Sequence, residues 1–150
     1  MLSGEDGKAF PPVLSSVGWV RYSMPKPTAL LLAYPAIKFD DLGDSPVTKA
    51  FVKTALGRRD QAEKKSMYNI LNHVGPNYPP CYIVCCRDDR TVPCRHAEAL
   101  AEKLRESGVS AELEIGEHGG HGFGNGLGTD AENWIIRALR FAEGFVGKNA

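Results

Sequence analysis

Hydrophobic and polar positions show no sustained period over the first stretch of the chain. Residues 1–27 are punctuated by Gly4, Gly7, Pro11, Pro12, Gly18, Pro25 and Pro27 and predict irregular structure. The first clear signal is Thr28 to Tyr34, T-A-L-L-L-A-Y, a continuous apolar run closed by Pro35. Such a run predicts a strand buried on both faces, as in a parallel sheet. Residues 36–78 are mixed, with Val47 to Leu56 predicting a short helix closed by Gly57 and Gln61 to Met67 a second. The turn-rich stretch Gly75 to Pro80 leads into Cys81 to Cys86, C-Y-I-V-C-C, the second buried strand.

The C-terminal half is more regular. Between Arg95 and Ser107, the residues Ala97, Leu100, Ala101 and Leu104 fall at i, i+3, i+4 and i+7, one apolar helical stripe. Gly108 stands where a left-handed C-cap is wanted. Val109, Ala111, Leu113 and Ile115 then alternate with polar neighbours, the pattern of an edge or half-covered strand. Glu117 to Gly128 holds six glycines and predicts a loop. Thr129 with Glu132 three residues on reads as a capping box. The helix it opens carries Ile135, Ala138, Leu139, Ala142 and Phe145 on one side.

The order strand, helices, strand, helix, strand, helix predicts an α/β fold with an open layered sheet of parallel strands and right-handed crossovers. Composition adds limits. With 150 residues, 43% hydrophobic and 24% charged, the chain is the size of one domain with a real core. This excludes collagen-like, coiled-coil and disordered classes. Lys plus Arg and Asp plus Glu are both 18, so the formal net charge is zero and nothing points to a nucleic-acid or anionic-membrane partner. The longest strongly apolar run, Ala29 to Ile37, contains Pro35 and is about half a membrane span. The N-terminus, M-L-S-G-E-D-G-K, lacks the apolar core of a signal peptide, so a cytoplasmic location is expected.

Cys81, Cys85, Cys86 and Cys94 form no C-x-x-C pair. Neighbouring Cys85 and Cys86 would point to opposite faces of a strand, so they read as buried reduced thiols. A zinc site built on Cys94 and His96 fits no common closed-site spacing.

In an open α/β sheet, ligands bind outside the carboxyl ends of the strands. Two loops leave such ends with reactive residue types. The first is R-D-D-R-T-V-P, Arg87 to Pro93; the second is E-H-G-G-H-G-F-G, Glu117 to Gly124. The intervening helix returns both to one edge of the sheet. An acid and an imidazole converging there make the orienting half of a nucleophile–histidine–acid triad. At this level Asp88 or Asp89, and His118 or His121, all remain open. A solvated charged turn and polar loop histidines are the bland alternatives. A metal on His118, His121 and Asp88 is a third, although a glycine-rich loop fixes no ligand face.

These motifs resemble the C-terminal part of an α/β-hydrolase, above all the esterase branch with acetyl-xylan-esterase-like and feruloyl-esterase-like enzymes. Prolyl-oligopeptidase-like peptidases are similar at greater distance. In that family a strand runs into D-x-x-V-P, whose Asp is the triad acid; here that is Asp89-Arg90-Thr91-Val92-Pro93. A helix, the phrase S-G-V-x-x-E-L (Ser107 to Leu113) and a G-G-H-G-F-G loop follow, whose histidine, here His121, is the base. Lys26 to Ile37 is similar to the family's sixth strand and the proline after it. The resemblance spans roughly residues 26–146. It implies catalytic Asp89 and His121, no cofactor or metal, and a small ester as substrate, acylated carbohydrates included.

Two departures accompany the match. Cys85 stands where relatives often have histidine. More importantly, the family's nucleophile lies in G-x-S-x-G, a strained turn before the sixth strand, and no G-x-S-x-G occurs in this sequence. Ser3, Ser15, Ser16 and Ser23 precede the strand, and Ser16 has Gly18 downstream but Leu14 in place of the first glycine. The expected organisation is an irregular segment, 1–25, followed by the C-terminal portion of an α/β-hydrolase domain, 26–150. That portion holds about three strands, with the elbow and N-terminal strands expected before Met1. The alternative is a non-catalytic, truncated hydrolase relative acting as a binding or interaction module. An exposed sheet edge would favour a homo-oligomer.

Overall fold

The computed structural model of the protein describes residues 26–57 and 61–147. Ser3, Ser15, Ser16, Ser23 and the segment expected to be irregular lie outside them. The elements are β1 (Leu30–Ala33), α1 (Pro46–Leu56), α2 (Gln61–Met67), a 3-10 turn (Ile70–His73), β2 (Cys81–Cys86), α3 (Arg95–Glu106), β3 (Ala111–Gly116) and α4 (Trp134–Glu143). The three strands form one parallel sheet in the order β1-β2-β3, with Leu30 opposite Cys81 and Cys81 opposite Ala111.

The central strand organises the core because its side chains alternate between two faces. Cys81, Ile83 and Cys85 pack with Ala97, Leu100, Ala101 and Leu104 of α3. Tyr82, Val84 and Cys86 pack with Ala131, Trp134 and Ala138 at α4. All six residues of β2 are buried, as a continuous apolar run in a parallel sheet requires. The four cysteines are free and buried. Burial pushes the thiols of Cys81 and Cys86 up to about 11, so both stay protonated at neutral pH.

β1 differs from expectation in degree. Leu30 and Leu32 face the α3 layer and Leu31 and Ala33 the α4 layer, but all four are half-buried. The reason is topological: among the described residues β1 has a partner on one edge only. The Leu30 and Tyr34 amides donate toward β2, to Pro80 and Val84, so the alternate amides of Leu31 and Ala33 point to the open edge.

The helix ends follow their sequence signals except at α4. Ser45 accepts from the Thr48 amide at 3.1 Å to cap α1, and Gly57 (φ 70°) ends it. Gly108 (φ 75°) follows α3. The capping box at Thr129 does not start a helix. The Thr129 hydroxyl donates to the Gly126 carbonyl at 2.7 Å and accepts from the Ala131 amide at 3.2 Å, closing a separate turn. Asn133 (φ 63°) interrupts the chain, and α4 begins at Trp134. The Trp134 indole donates to the Gly124 carbonyl at 2.8 Å and sets the rotation of the helix. Trp134 and Ala138 are therefore buried, while Ile135 (39% exposed) and Leu139 (51%) are not. Two expected stripe members thus face outward. No helix among the described residues is long and apolar enough to cross a membrane.

Candidate active site

The acid turn follows directly from the end of β2. The Asp89 amide donates to the Cys86 carbonyl at 3.1 Å. The Asp89 side chain folds back, and its Oδ1 accepts from the amides of Thr91 and Val92, both at 2.8 Å. This is the physical content of the D-x-x-V spacing: a carboxylate satisfies the amides two and three residues ahead, as an Asx-type turn does. Proline at 93 has no amide left to satisfy, and its carbonyl accepts from His96 at 3.0 Å at the start of α3. Oδ2 remains, and it lies 2.8 Å from Nδ1 of His121. The Asp89 side chain is wholly buried, and that of His121 is 35% exposed. An ionised carboxylate can only accept, so Nδ1 carries the proton and donates. Nε2 is left for chemistry; no group among the described residues is hydrogen-bonded to it.

The histidine loop is shaped by carboxylates and by missing side chains. Asp130 Oδ2 accepts from the amides of Glu117 (2.9 Å) and His118 (2.8 Å). Asp88 Oδ1 accepts from those of Gly119 (3.1 Å) and Gly120 (2.8 Å). Four consecutive amides thus end on two carboxylates. The Gly119 and Gly120 donors hold the Asp88 carboxyl below its ordinary range. A Cβ on Gly119 would lie 2.5 Å from Cys86 Sγ, so only glycine allows the loop to pass so close to β2. Gly120 (φ 61°) and Gly122 (φ 81°) turn the backbone left-handed on either side of His121.

An aromatic wall closes the other flank. The Tyr34 ring meets the His121 ring at 4.8 Å between centroids, inclined at 61°, and meets Phe123 at 4.8 Å and 87°. Tyr34 ends β1 with φ 41°, a left-handed conformation rare outside glycine and costing on the order of 1–3 kcal/mol. The segment after β1 also touches the acid turn: the Gly43 amide donates to the Thr91 carbonyl at 2.8 Å.

Asp89 and His121, expected to converge, are brought together. His118 stands outside the pair, 84% exposed and 4.0 Å from Asp88. Asp88, an open candidate for the acid, holds the histidine loop instead, and Asp130 and Tyr34 were not anticipated as parts of the site. The loop's run of amides in need of acceptors was the signal for the two acids, while nothing in the sequence marks the strained Tyr34.

Residues 37–149 match the sequence profile of the prolyl oligopeptidase family. Endo-1,4-beta-xylanase B of Butyrivibrio fibrisolvens is 27% identical over 97 residues, covering 65% of this chain and 15% of that protein. Among solved structures, the acetyl ester-xyloside bifunctional hydrolase of Caldicellulosiruptor lactoaceticus superposes with a TM-score of 0.65 at 26% identity, over 81% of this chain and 44% of that one. A sugar hydrolase from Lactococcus lactis gives 0.62 at 25% identity, over 81% and 50%. A carboxylesterase from Lactobacillus plantarum, at 18% identity and TM-score 0.60 over 78% and 44%, shares the fold. The chain spans half or less of the length of each of these relatives. Its three parallel strands and flanking helices are a partial α/β-hydrolase fold, and the chain belongs to the prolyl oligopeptidase family.

Proposed function

We propose that this chain carries the base and the acid of a serine carboxylic-ester hydrolase, His121 and Asp89, as the C-terminal portion (26–150) of its catalytic domain. The observation that supports this is the 2.8 Å contact from Asp89 Oδ2 to His121 Nδ1, with the carboxylate buried and Nε2 unengaged. In the complete enzyme a serine from outside the described residues attacks the ester carbonyl. His121 Nε2 takes the hydroxyl proton and returns it to the leaving alcohol. Asp89 holds the imidazole in the Nδ1–H tautomer and stabilises the imidazolium that forms. Small esters, acylated carbohydrates among them, are the substrate class. In support, one structural relative is described as an acetyl ester-xyloside hydrolase and another as a sugar hydrolase.

The test is complementation. Alone, the chain should hydrolyse p-nitrophenyl acetate no faster than free imidazole and take no fluorophosphonate label. Fused to the serine-bearing N-terminal half of a structural relative, it should hydrolyse the ester, and His121→Ala should abolish the gain. Labelling of a serine in the chain alone, or a fusion indifferent to His121→Ala, would sink the proposal.

The edge of β1 that has no partner among the described residues favours a second, non-catalytic reading in which this edge pairs with that of another copy. A two-stranded contact buries the outward amides of Leu31 and Ala33. Sedimentation velocity should then show a concentration-dependent dimer that Leu31→Pro disperses. A wild-type monomer at all concentrations would exclude it.

A further inference from the structure

Asp88 adjoins the acid of the pair yet takes no part in it. Its carboxylate reaches instead across to the loop that leaves β3, where Oδ1 lies 2.8 Å from the Gly120 amide and 3.1 Å from the Gly119 amide, and Oδ2 lies 3.2 Å from the latter. Gly120 is the residue immediately before His121. We propose that Asp88 is the positioning residue for His121: by clamping these two amides to the acid turn, it sets the distance between the imidazole and Asp89. The proposal rests on the reading of Asp89 and His121 as acid and base.

Two comparisons single Asp88 out. Asp130 also grips the loop, through the amides of Glu117 and His118, but it belongs to the same connection between β3 and α4. It therefore fixes the shape of the loop and not its placement over the acid turn. The other ties between the end of β2 with its turn and the histidine loop are the Arg87 amide to the Gly116 carbonyl at 2.8 Å, the exposed Arg87–Glu117 ion pair at 3.1 Å and the Cys86 thiol to the His118 carbonyl at 3.6 Å. None reaches the residues that adjoin His121. Between Asp88 and the imidazole lie only glycines, which have the widest choice of backbone conformation. Without a fixed amide at Gly120, the ring has many placements, of which few satisfy Asp89. The Gly120 and Gly119 amides hold the Asp88 carboxyl below its ordinary range, which favours its ionised form and a charge-assisted clamp.

A tie that only stabilised the fold would change the melting temperature and leave the protonation pattern of His121 alone. A positioning residue changes that pattern, because the nitrogen that holds the proton is set by its hydrogen bond. The experiment uses the chain with 15N-labelled histidine. Long-range 1H–15N spectra give the His121 tautomer, and exchange with water gives the lifetime of its Nδ1 proton and of the Gly120 amide.

The wild type should show the Nδ1–H tautomer with a slowly exchanging proton. Asp88→Ala should speed Nδ1–H and Gly120 exchange together, at least tenfold, and restore the Nε2–H tautomer of free imidazole. Asp88→Asn loses the charge and one of the two acceptor oxygens, so both rates should rise by the same factor, at least threefold; rates both within twofold of wild type would overturn the clamp. This variant carries the test if Asp88→Ala does not fold. The clamp is overturned if either variant frees the Gly120 amide while the Nδ1 proton keeps its wild-type lifetime, or if Asp88→Ala leaves both rates within twofold of wild type. In those cases loss of the signal in Asp89→Asn would leave the acid–base pair standing. A wild type without the Nδ1–H tautomer would remove the pair itself, and the clamp with it.

Discussion

Replacing His96 with leucine should make the protein more stable and less sensitive to acid. His96 is the second residue of α3, fully buried, and neither of its ring nitrogens has a hydrogen-bond partner. A buried polar group left unsatisfied costs about 1–3 kcal/mol. Leucine has a similar volume and no polar atom, so His96→Leu should gain about 1–2 kcal/mol at pH 7.5. The pH dependence has a definite sign. Burial holds the imidazole below its ordinary range; the Asp41 backbone, close to the ring but outside good hydrogen-bond geometry, opposes this, as does the Asp41 carboxylate, while the cations Lys38 and Arg95 push the same way as burial. The unfolded chain therefore takes up a proton, near the ordinary value of about 6.5, that the native state refuses. The contribution is fully present above that value and is lost as pH falls below it, at no more than about 1.4 kcal/mol per unit. Between pH 7.5 and 5.0, wild type should lose up to about 2 kcal/mol more than His96→Leu. Urea unfolding followed by circular dichroism at both pH values measures this difference of differences, in which the other titrating groups cancel. Equal losses in the two proteins would refute the argument.

Three further outcomes follow from packing and from the pair. Leu100→Ala removes a side chain that is 1% exposed between α3 and the sheet, and should cost about 2–5 kcal/mol in the same urea assay; a loss under 1 kcal/mol would mean that the α3 face collapses freely. Gly43→Ala places a Cβ 1.9 Å from the Arg90 carbonyl oxygen, so the turn that holds Asp89 must move. A destabilisation of about 1–3 kcal/mol should come with a change in the His121 ring resonances, and unchanged resonances would show that the turn yields elsewhere. In the complemented esterase, Asp89→Asn should lower kcat by about 10⁴-fold, as expected when the orienting acid is lost; a rate within tenfold of wild type would deny Asp89 that role.

What the sequence disclosed depends on how local each cause is. β2 and α3 were legible because a run of six apolar residues and a stripe at i, i+3, i+4 and i+7 each have one common structural solution. The convergence of an acid and a histidine was legible because one crossover returns the chain to the same sheet edge; the choice of Asp89 over Asp88 and of His121 over His118 came from the resemblance to α/β-hydrolases. The start of α4 was not. Thr129 and Glu132 have the right types and spacing for a cap, but Asn133 in the left-handed region and the Trp134 indole bond to Gly124 set the true start. Both are settled by how the glycine loop packs, which no local pattern encodes. Tyr34 was invisible for the same reason: its left-handed φ has no local mark, and its ring neighbours His121 and Phe123 lie in the loop after β3. His96 counts the other way: the sequence marked it only as a poor zinc ligand, and its complete burial beside the apolar stripe of α3 had no local signal.

The distribution of these contacts along the chain explains why the Asp89–His121 pair is well formed within the described residues. Asp89, its turn, the clamp at Asp88 and His121 all belong to the β2–α3–β3 unit and the loop that leaves it. Each strand of that unit is paired to its neighbour over its full length, Cys81 to Cys86 against Ala111 to Gly116. The geometry of acid and base therefore draws on β2 and β3, and on the segment after β1 through the Tyr34 ring contact and the bond from the Gly43 amide to the Thr91 carbonyl. A nucleophile has no such shelter. To bring a hydroxyl within about 3 Å of Nε2 takes a separate backbone support on the far side of the imidazole. Among the described residues the flank beyond β1 offers an unpaired strand edge and no such support. In the proposed reading the chemistry divides where the sheet divides: Asp89 and His121 come from one side of β1, and a nucleophile would come from the other.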